Sequence, residues 1–289
     1  MFIKVLPKDT ALPDKRTAVG LAKAVAVFLV LSAVLFCTSP ARAQVTEVDL
    51  ELVLLVDVSR SMSEDELELQ RRGYAEALVS EDVFKAVQSG LLQTLALTYV
   101  EWAGSQQIVV DWQLIQTRED LKAFAEQLTA KFDPALRRTS ISGALSFAAD
   151  HIEYNAYRGL RRVIDISGDG PNNLGPLVTR ARDETIAKGI TINGLPLMTD
   201  DGAFSNFYLE RLDIYYQTCV IGGPGAFVIP VYVWPDFADA VRRKLVLEIA
   251  GYAPPARIIR AQSPARDPRD CQVGEKIWRD FQQNRFWDP

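Results

Sequence analysis

The sequence predicts an α/β fold in which helices cover both faces of a doubly wound, mostly parallel sheet with one antiparallel edge strand. The apolar run at residues 48–56 has the composition of a strand buried on both faces. From there onward, strand-like segments alternate with segments of helical pattern, the order typical of parallel sheets. Residues 91–102 and 108–115 are the exception, because the short link at Gly104-Ser105 favours an antiparallel pair.

The other elements follow from capping residues and from the periodicity of apolar positions. Ser63 begins a helix that continues to Leu78, with acidic residues in the first turn where the helix dipole favours negative charge. Ser80 caps a second, short helix. Further helices are predicted at residues 117–128, 141–152, 177–188, 207–217 and 236–249, the third of these closed by Gly189 and the last by Gly251. Strands are predicted at residues 162–166, 190–197 and 226–231.

The first 43 residues have the composition of an export signal. Basic residues precede a 13-residue apolar run, residues 24–36, which is shorter than the about 20 residues of a membrane span. Ala41-Arg42-Ala43 then supplies the small residues of a cleavage site. We therefore predict a signal peptide over residues 1–43, a folded domain over 44–251 and a C-terminal extension over 252–289, located in the periplasm or outside the cell. Tethering to the membrane by an uncleaved signal anchor is the alternative.

Removal of this leader changes both the charge and the cysteine count. The mature chain would hold 26 basic and 35 acidic residues, a formal charge of −9, which argues against nucleic acid as a partner because phosphate binding needs a net basic face. No stable membrane span would remain. Cys37 leaves with the leader, and the two remaining cysteines, Cys219 and Cys271, are expected to pair in an exported chain. Such a bridge would fasten the extension to the domain; two free thiols are the alternative.

Three polar clusters lie at the edge of the predicted sheet where open parallel sheets bind ligands. Asp57, Ser59 and Ser61 follow the first strand, Thr139 precedes the helix at residue 141, and Asp169 follows the strand that ends at residue 166. Taken singly, each cluster is also compatible with a helix cap or a turn. Together they form a set of oxygen donors, which hard cations such as Mg²⁺ prefer. Two carboxylates at most cancel a divalent charge. If one of them acts only through water, the metal stays electron-poor and would attract an anionic ligand.

These segments resemble the metal-ion-dependent adhesion site of von Willebrand factor A (vWA) domains. Asp57-Val58-Ser59-Arg60-Ser61 matches its Asp-x-Ser-x-Ser element, Thr139 matches its threonine loop, and Asp169-Gly170 matches its aspartate loop. The resemblance covers residues 48–250 and is closer to a group of uncharacterised exported bacterial proteins built on this domain. It implies a Rossmann-like sheet, one Mg²⁺ (or Mn²⁺ or Ca²⁺), and a protein ligand that offers Asp or Glu to the metal.

The chain departs from the pattern of that family in two loops. Arg137 and Arg138 precede the threonine where many members have glycines. Two cations there would strengthen the capture of an acidic ligand; a solvated loop is the alternative. The aspartate loop reads Ser-Gly-Asp-Gly-Pro-Asn-Asn, so Asn172 and Asn173 are predicted to line the ligand side of the site.

The sequence therefore predicts a binding module for adhesion or assembly, with no catalytic residue. The rival is a metal-dependent hydrolase such as a phosphatase, but such enzymes need a second acid two residues after the first, where this chain has Ser59. A scaffold with a purely structural metal is the third hypothesis. His151 is the only histidine and follows Asp150 late in a predicted helix, so we interpret it as structural.

Overall fold

The computed structural model describes residues 45–59, 61–129, 138–199, 208–252, 267 and 269–285. The predicted signal peptide, Arg60 and Arg137 lie outside these residues, as does much of the predicted extension. The described residues all belong to the unit that begins at Val45.

The chain alternates strands and helices, as predicted. In order, the elements are β1 (Thr46–Asp57), α1 (Glu64–Leu78), α2 (Glu81–Gln88), β2 (Leu95–Trp102), β3 (Gln106–Ile115), α3 (Arg118–Thr129), α4 (Ile141–Glu153), β4 (Tyr157–Gly168), α5 (Val178–Ala187), β5 (Thr191–Pro196), α6 (Leu212–Tyr215), α7 (Phe237–Ala250) and α8 (Val273–Arg285). A π-helical turn, Tyr216–Val220, continues α6, and a 3₁₀ turn, Trp234–Asp236, precedes α7.

The strands form one sheet in the order β3-β2-β1-β4-β5. β1 pairs in parallel with β2 and β4, and β4 pairs in parallel with β5. β3 lies antiparallel to β2 at the edge of the sheet. The predicted α/β fold, with its single antiparallel edge strand, is confirmed.

The central strand β1 contributes to two hydrophobic cores because its side chains alternate between the faces of the sheet. Leu52 and Leu54 pack on one face with α1, α2, α3 and α7. Val53 and Leu55 pack on the other face with α4, α5, α6 and α8. Helices thus cover both faces, and the carboxyl ends of β1, β2 and β4 meet at the same edge.

Several predicted elements differ from the structure in type or extent. The strand predicted at residues 226–231 forms only isolated bridges beside β5. Gly194 exchanges backbone hydrogen bonds with Phe227 and Ile229, but Pro196 has no N–H with which to continue the ladder. The helix predicted at residues 207–217 begins only at Leu212, and residue 207 itself lies outside the described residues.

Strand β2 also begins later than predicted, at Leu95. The carboxylate of Asp49 accepts hydrogen bonds from the backbone N–H groups of Leu92 and Thr94. Between them, Gln93 has a positive φ of 56°. These bonds favour a turn where the apolar pattern predicts a longer strand.

The predicted disulfide between Cys219 and Cys271 is present, with 5.4 Å between the Cα atoms. It joins the π-helical turn after α6 to the residues before α8, a helix that the sequence pattern does not predict. Val273 and Ile277 of α8 are buried in the core on that face of the sheet. The C-terminal helix is therefore fastened both covalently and by apolar packing. Of the helices described, none is long and apolar enough to cross a membrane.

Ser63→Ala is expected to lower the free energy of unfolding by about 1 kcal/mol. Ser63 Oγ accepts a hydrogen bond from the Glu66 N–H at 3.3 Å, and Glu66 Oε2 accepts one from the Ser63 N–H at 2.7 Å. The variant leaves an N–H at the start of α1 without this partner. Urea denaturation measures the loss. Thr129→Ala, at the exposed end of α3, is the control and should change the stability by less than about 0.5 kcal/mol; equal losses in the two variants would contradict the capping role.

Candidate metal centre

Two acidic side chains lie together at the carboxyl ends of β1 and β4. Asp57 ends β1, and Asp169 directly follows β4, which pairs with β1 up to Ser167. Asp57 is fully buried and Asp169 is half-buried. Burial raises the pKa of Asp57 well above its usual value, and the charge of Asp169 raises it further. Burial also raises the pKa of Asp169 to about 6.

The two carboxylate oxygens of Asp57 have different surroundings. Oδ1 accepts a hydrogen bond from the Ser59 N–H at 2.7 Å. Oδ2 is buried and has no hydrogen-bond partner among the described residues. Gly168 leaves the space beside it, because a Cβ there would lie 2.8 Å from Oδ2 and 2.7 Å from the hydroxyl oxygen of Tyr216. A buried anionic oxygen without a partner is costly, so a cation beside it would be strongly stabilising.

The two serines extend the set of oxygens from Asp57 toward the aspartate loop. Ser59 is buried, and its Oγ lies 3.0 Å from the Oγ of Ser61. Ser61 is exposed and forms a side-chain hydrogen bond with Asp169 that partly offsets the rise in the pKa of that acid. Gln70 of α1 fixes the backbone at the end of β1, because its Nε2 donates a hydrogen bond to the carbonyl of Asp57 at 3.0 Å.

The threonine loop lies at the same edge of the sheet. The Ser140 N–H donates to the carbonyl of Ala103, which directly follows β2, at 3.0 Å. Thr139 is only 7 % exposed. Its carbonyl accepts from the Asn173 N–H at 3.0 Å, and its own N–H donates to Asn173 Oδ1 at 3.3 Å. The loop that contains Thr139 is therefore hydrogen-bonded both to the residue that follows β2 and to the aspartate loop.

The other residues predicted to contact a ligand have separate surroundings. Asn172 is fully buried. Its Oδ1 accepts from the Ser142 N–H at 3.0 Å, and its Nδ2 donates to Glu275 at 2.7 Å. These bonds give Asn172 a role in holding the loops together. Asn173 is half-buried beside Thr139, and Arg137 lies outside the described residues.

Arg138 keeps its charge at the surface beside the candidate centre. It is exposed, has a positive φ of 73°, and its guanidinium lies 5.0 Å from the centre of the Trp278 ring on α8. The sequence reasoning missed the contribution of α8 to this region. Trp278 and Phe281, which follow Cys271, are a sequence signal for an extension that packs on the domain, but they do not identify its contact with Arg138.

The residues at this edge fit a hard divalent cation. All of the predicted ligands offer oxygen, and they comprise Asp57, Ser59, Ser61, Thr139 and Asp169. A cation would also relieve the repulsion between the two carboxylates and give Asp57 Oδ2 a partner. In the described part of the chain, no group of three or more His, Cys, Asp or Glu side chains could hold a metal. The candidate centre consists of two carboxylates with hydroxyl groups.

His151 lies at the C-terminal end of α4, whereas the candidate centre is near the N-terminal end of that helix. Its ring packs between Trp112 and Phe147, with ring centroids 5.3 and 5.8 Å away. Its Nε2 is 3.4 Å from Thr98 Oγ1, and burial lowers its pKa. This packing is that of a structural histidine.

Comparisons with known proteins bear on the family and the fold. A family model described as "Protein of unknown function (DUF1194)" matches residues 47–253. A search of curated proteins finds no match. Among solved structures, proximal thread matrix protein 1 from the mussel byssus has 16% identity and a TM-score of 0.52, covering 71% of this chain and 49% of that chain. The pilus adhesin SpaC from Lactobacillus rhamnosus GG, in its open conformation, has 13% identity and a TM-score of 0.51, covering 70% and 30%.

A third solved structure, von Willebrand factor type A from Catenulispora acidiphila, has 12% identity and a TM-score of 0.43, covering 70% of this chain and 43% of that chain. This chain thus spans about half the length of the mussel protein and under a third of the adhesin. At such identities, the two matches with TM-scores above 0.5 show a shared fold alone. The vWA-like fold predicted from the sequence is confirmed.

Proposed function

Because the chain belongs to the family described as protein of unknown function DUF1194 and has a vWA-like fold, we propose that it is a metal-dependent protein-binding module. The proposed cation is Mg²⁺, with Mn²⁺ and Ca²⁺ as alternatives. Its proposed ligands are Asp57, Ser59, Ser61, Thr139 and Asp169. The bound cation would accept an Asp or Glu side chain of a partner protein. Two proteins of similar fold, a thread matrix protein and a pilus adhesin, support a role in attachment.

The observation that carries this proposal is the buried Oδ2 of Asp57. It has no hydrogen-bond partner among the described residues, and the charge of the second carboxylate, that of Asp169, adds to the rise in the pKa of Asp57. Folding does not normally bury a carboxylate oxygen without a donor or a cation. A divalent cation at this edge would compensate both acids at once.

The charge of the proposed ligands explains why an acidic partner is favoured. When bound, the cation supplies a Lewis-acidic position for an anion. Asp57 and Asp169 can cancel its two charges, while the hydroxyl groups of Ser59, Ser61 and Thr139 add none. If one acid acts only through water, the complex keeps positive character. Arg138, exposed beside Thr139, would add further attraction for a carboxylate.

We further propose that the module is not an enzyme and that it acts outside the cytoplasm. The position two residues after Asp57, where a phosphatase of this kind needs a second acid, is Ser59. His151 is packed between aromatic rings at the opposite end of α4 from Thr139. The leader composition and the Cys219–Cys271 disulfide support export.

Magnesium is expected to raise the melting temperature of the parent chain and to leave that of Asp57→Asn unchanged. A ligand of the folded state adds about 2.7 kcal/mol of stability at 100 times its Kd. Because burial disfavours the Asp57 carboxylate, the metal-free variant should melt no lower than the parent. Asp111→Asn, an exposed acid on β3, is the matched control and should keep the full shift. No shift in the parent, or an equal shift in Asp57→Asn, would refute the site.

Capture of a partner protein through the metal is tested by affinity purification from an envelope extract, once in Mg²⁺ and once in chelator. A protein retained by the parent in Mg²⁺, but not in chelator and not by Asp57→Asn, is the expected result. Retention that is unaffected by chelator would contradict capture through the metal.

A further inference from the structure

The C-terminal helix α8 packs closely against the aspartate loop. Its Glu275 accepts a hydrogen bond from Asn172 Nδ2 at 2.7 Å. The neighbouring Gly274 lies so close that a Cβ would be 2.0 Å from the carbonyl oxygen of Asn172 and 3.2 Å from Pro171. Asn172 is three positions after Asp169, so this contact holds the loop that carries one of the proposed ligands.

The same helix also contacts the threonine loop. Trp278, one turn after Glu275, lies with its ring under the guanidinium of Arg138 at 5.0 Å. Arg138 directly precedes Thr139, and a cation above an aromatic face is attracted by the negative face of the ring. Asn172 adds a second link, because its Oδ1 accepts from the N–H of Ser142 in the first turn of α4. Helix α8 therefore contacts both the threonine loop, which precedes α4, and the aspartate loop, which follows β4.

The anchors of α8 lie on α6 and the π-helical turn that follows it. Cys271 is bonded to Cys219 of that turn, and Val273 and Ile277 are buried in the core. Tyr215 of α6 accepts a hydrogen bond from the Asn172 N–H at 3.1 Å. Tyr216, the next residue, has its hydroxyl close to the space beside Asp57 Oδ2. The disulfide thus secures α8 to an element that itself contacts the candidate centre.

We propose that α8 is a positioning element of the metal centre, with Glu275 and Trp278 as the residues that hold the aspartate and threonine loops in place. Without it, each loop would have to be ordered when the cation binds, and that ordering would weaken affinity. This inference concerns the centre named in the proposed function, but its structural half, the ordering of the two loops, does not require metal.

The test uses the full chain and the variants Glu275→Ala and Trp278→Leu. Amide hydrogen exchange without metal should become faster at Ser142 and Asn173, whose N–H groups are bonded within the loops. The Kd for Mn²⁺, followed by water-proton relaxation, should rise about tenfold, the effect typical of groups that orient metal ligands. The variant Cys219→Ala/Cys271→Ala should show both changes.

Conservative replacements and exposed positions on the same helix supply the controls. Glu275→Gln keeps an acceptor for Asn172, and Trp278→Phe keeps an aromatic face for Arg138, so each should restore most of the parent behaviour. Arg279→Ala and Asp280→Ala, at exposed positions of α8, should match the parent.

Three results are distinguishable. Faster exchange confined to the two loops, with rescue by the conservative variants, supports the ordering of the loops by α8 even if the parent binds no metal, in which case the proposed function and its metal-positioning role fail. Unchanged exchange in the loops overturns the inference even if metal binds. Equal acceleration at a sheet amide such as that of Ile164 also overturns it, because the variants would then act through general stability.

Discussion

Lys244→Met is expected to lower the free energy of unfolding by about 3–5 kcal/mol at pH 7. Lys244 of α7 is fully buried, with Nζ 2.5 Å from Asp165 of β4 and in contact with Glu248 of the next helical turn. Asn193 of β5 also donates to Glu248, at 2.9 Å. The variant removes the one cation of this triad and leaves two buried carboxyl groups facing each other, without the charge that offsets their burial.

Urea denaturation at constant pH measures this loss. Lys85→Met is the matched control, because Lys85 is exposed and its pair with Glu81, at 3.9 Å, lies on the surface. Surface pairs of this kind contribute about 0–1 kcal/mol. A loss below about 1 kcal/mol for Lys244→Met would mean that the triad does not depend on its cation.

The same triad makes the free energy of unfolding depend on pH, and the raised pKa of Glu248 determines the direction of that dependence. Burial raises the pKa of Glu248 from 4.5 to about 8, and the charge of Asp165 raises it as well. The folded state therefore keeps a proton that the unfolded state has released, and this contribution to stability is lost as the pH rises from 4.5 to about 8. Glu248→Gln should gain stability relative to the parent over that range, by at most about 1.4 kcal/mol per pH unit. A constant difference between the two proteins would contradict this assignment.

Glu101→Gln is the second change with a large expected effect, about 3–5 kcal/mol of lost stability. Arg71 of α1 donates to both carboxylate oxygens of Glu101, at 2.6 and 2.8 Å, and the two side chains are 7 % and 2 % exposed. The pair joins α1 to the end of β2, and Arg71 also donates to the carbonyl of Leu128 in α3. A neutral side chain at position 101 leaves the guanidinium buried without its counter-charge.

The neighbouring residue on α1 provides the control. Arg72 pairs with Glu68 at 3.1 Å, but these side chains are 68 % and 62 % exposed. Glu68→Gln should therefore change the stability by less than about 0.5 kcal/mol. The double variant Arg71→Met/Glu101→Leu should lose less than Glu101→Gln, because it removes both buried charges together. A double variant that is less stable than the single variant would contradict the argument.

The elements that were predictable from the sequence are those whose signals are local. The apolar run of β1, the capping serine at position 63 and the closing glycines at positions 189 and 251 each determine the conformation of their own segment. The segment at residues 226–231 was predicted wrongly because its pairing depends on Pro196, which belongs to a neighbouring strand. A strand pattern within one segment carries no information about which partner N–H groups are missing.

The candidate centre was predictable only in part for the same reason. The order of Asp57, Thr139 and Asp169 along the chain, together with a parallel sheet, brings their segments to one edge. Asn172 illustrates what was missed. Its asparagine type suggested a ligand contact, but its side chain is used by Ser142 and Glu275, the second of them 103 residues away. Contacts between segments so distant in sequence leave no local pattern.

The covalent loop closed by Cys219 and Cys271 has a consequence for proteolysis. The two cysteines are 52 residues apart, and the loop between them includes all of α7. A protease that cuts any single peptide bond inside that loop would leave α8 joined to the sheet. Such a nicked molecule would migrate as one species on a non-reducing gel and as two fragments after reduction. The chain can thus lose its continuity there without releasing its C-terminal helix.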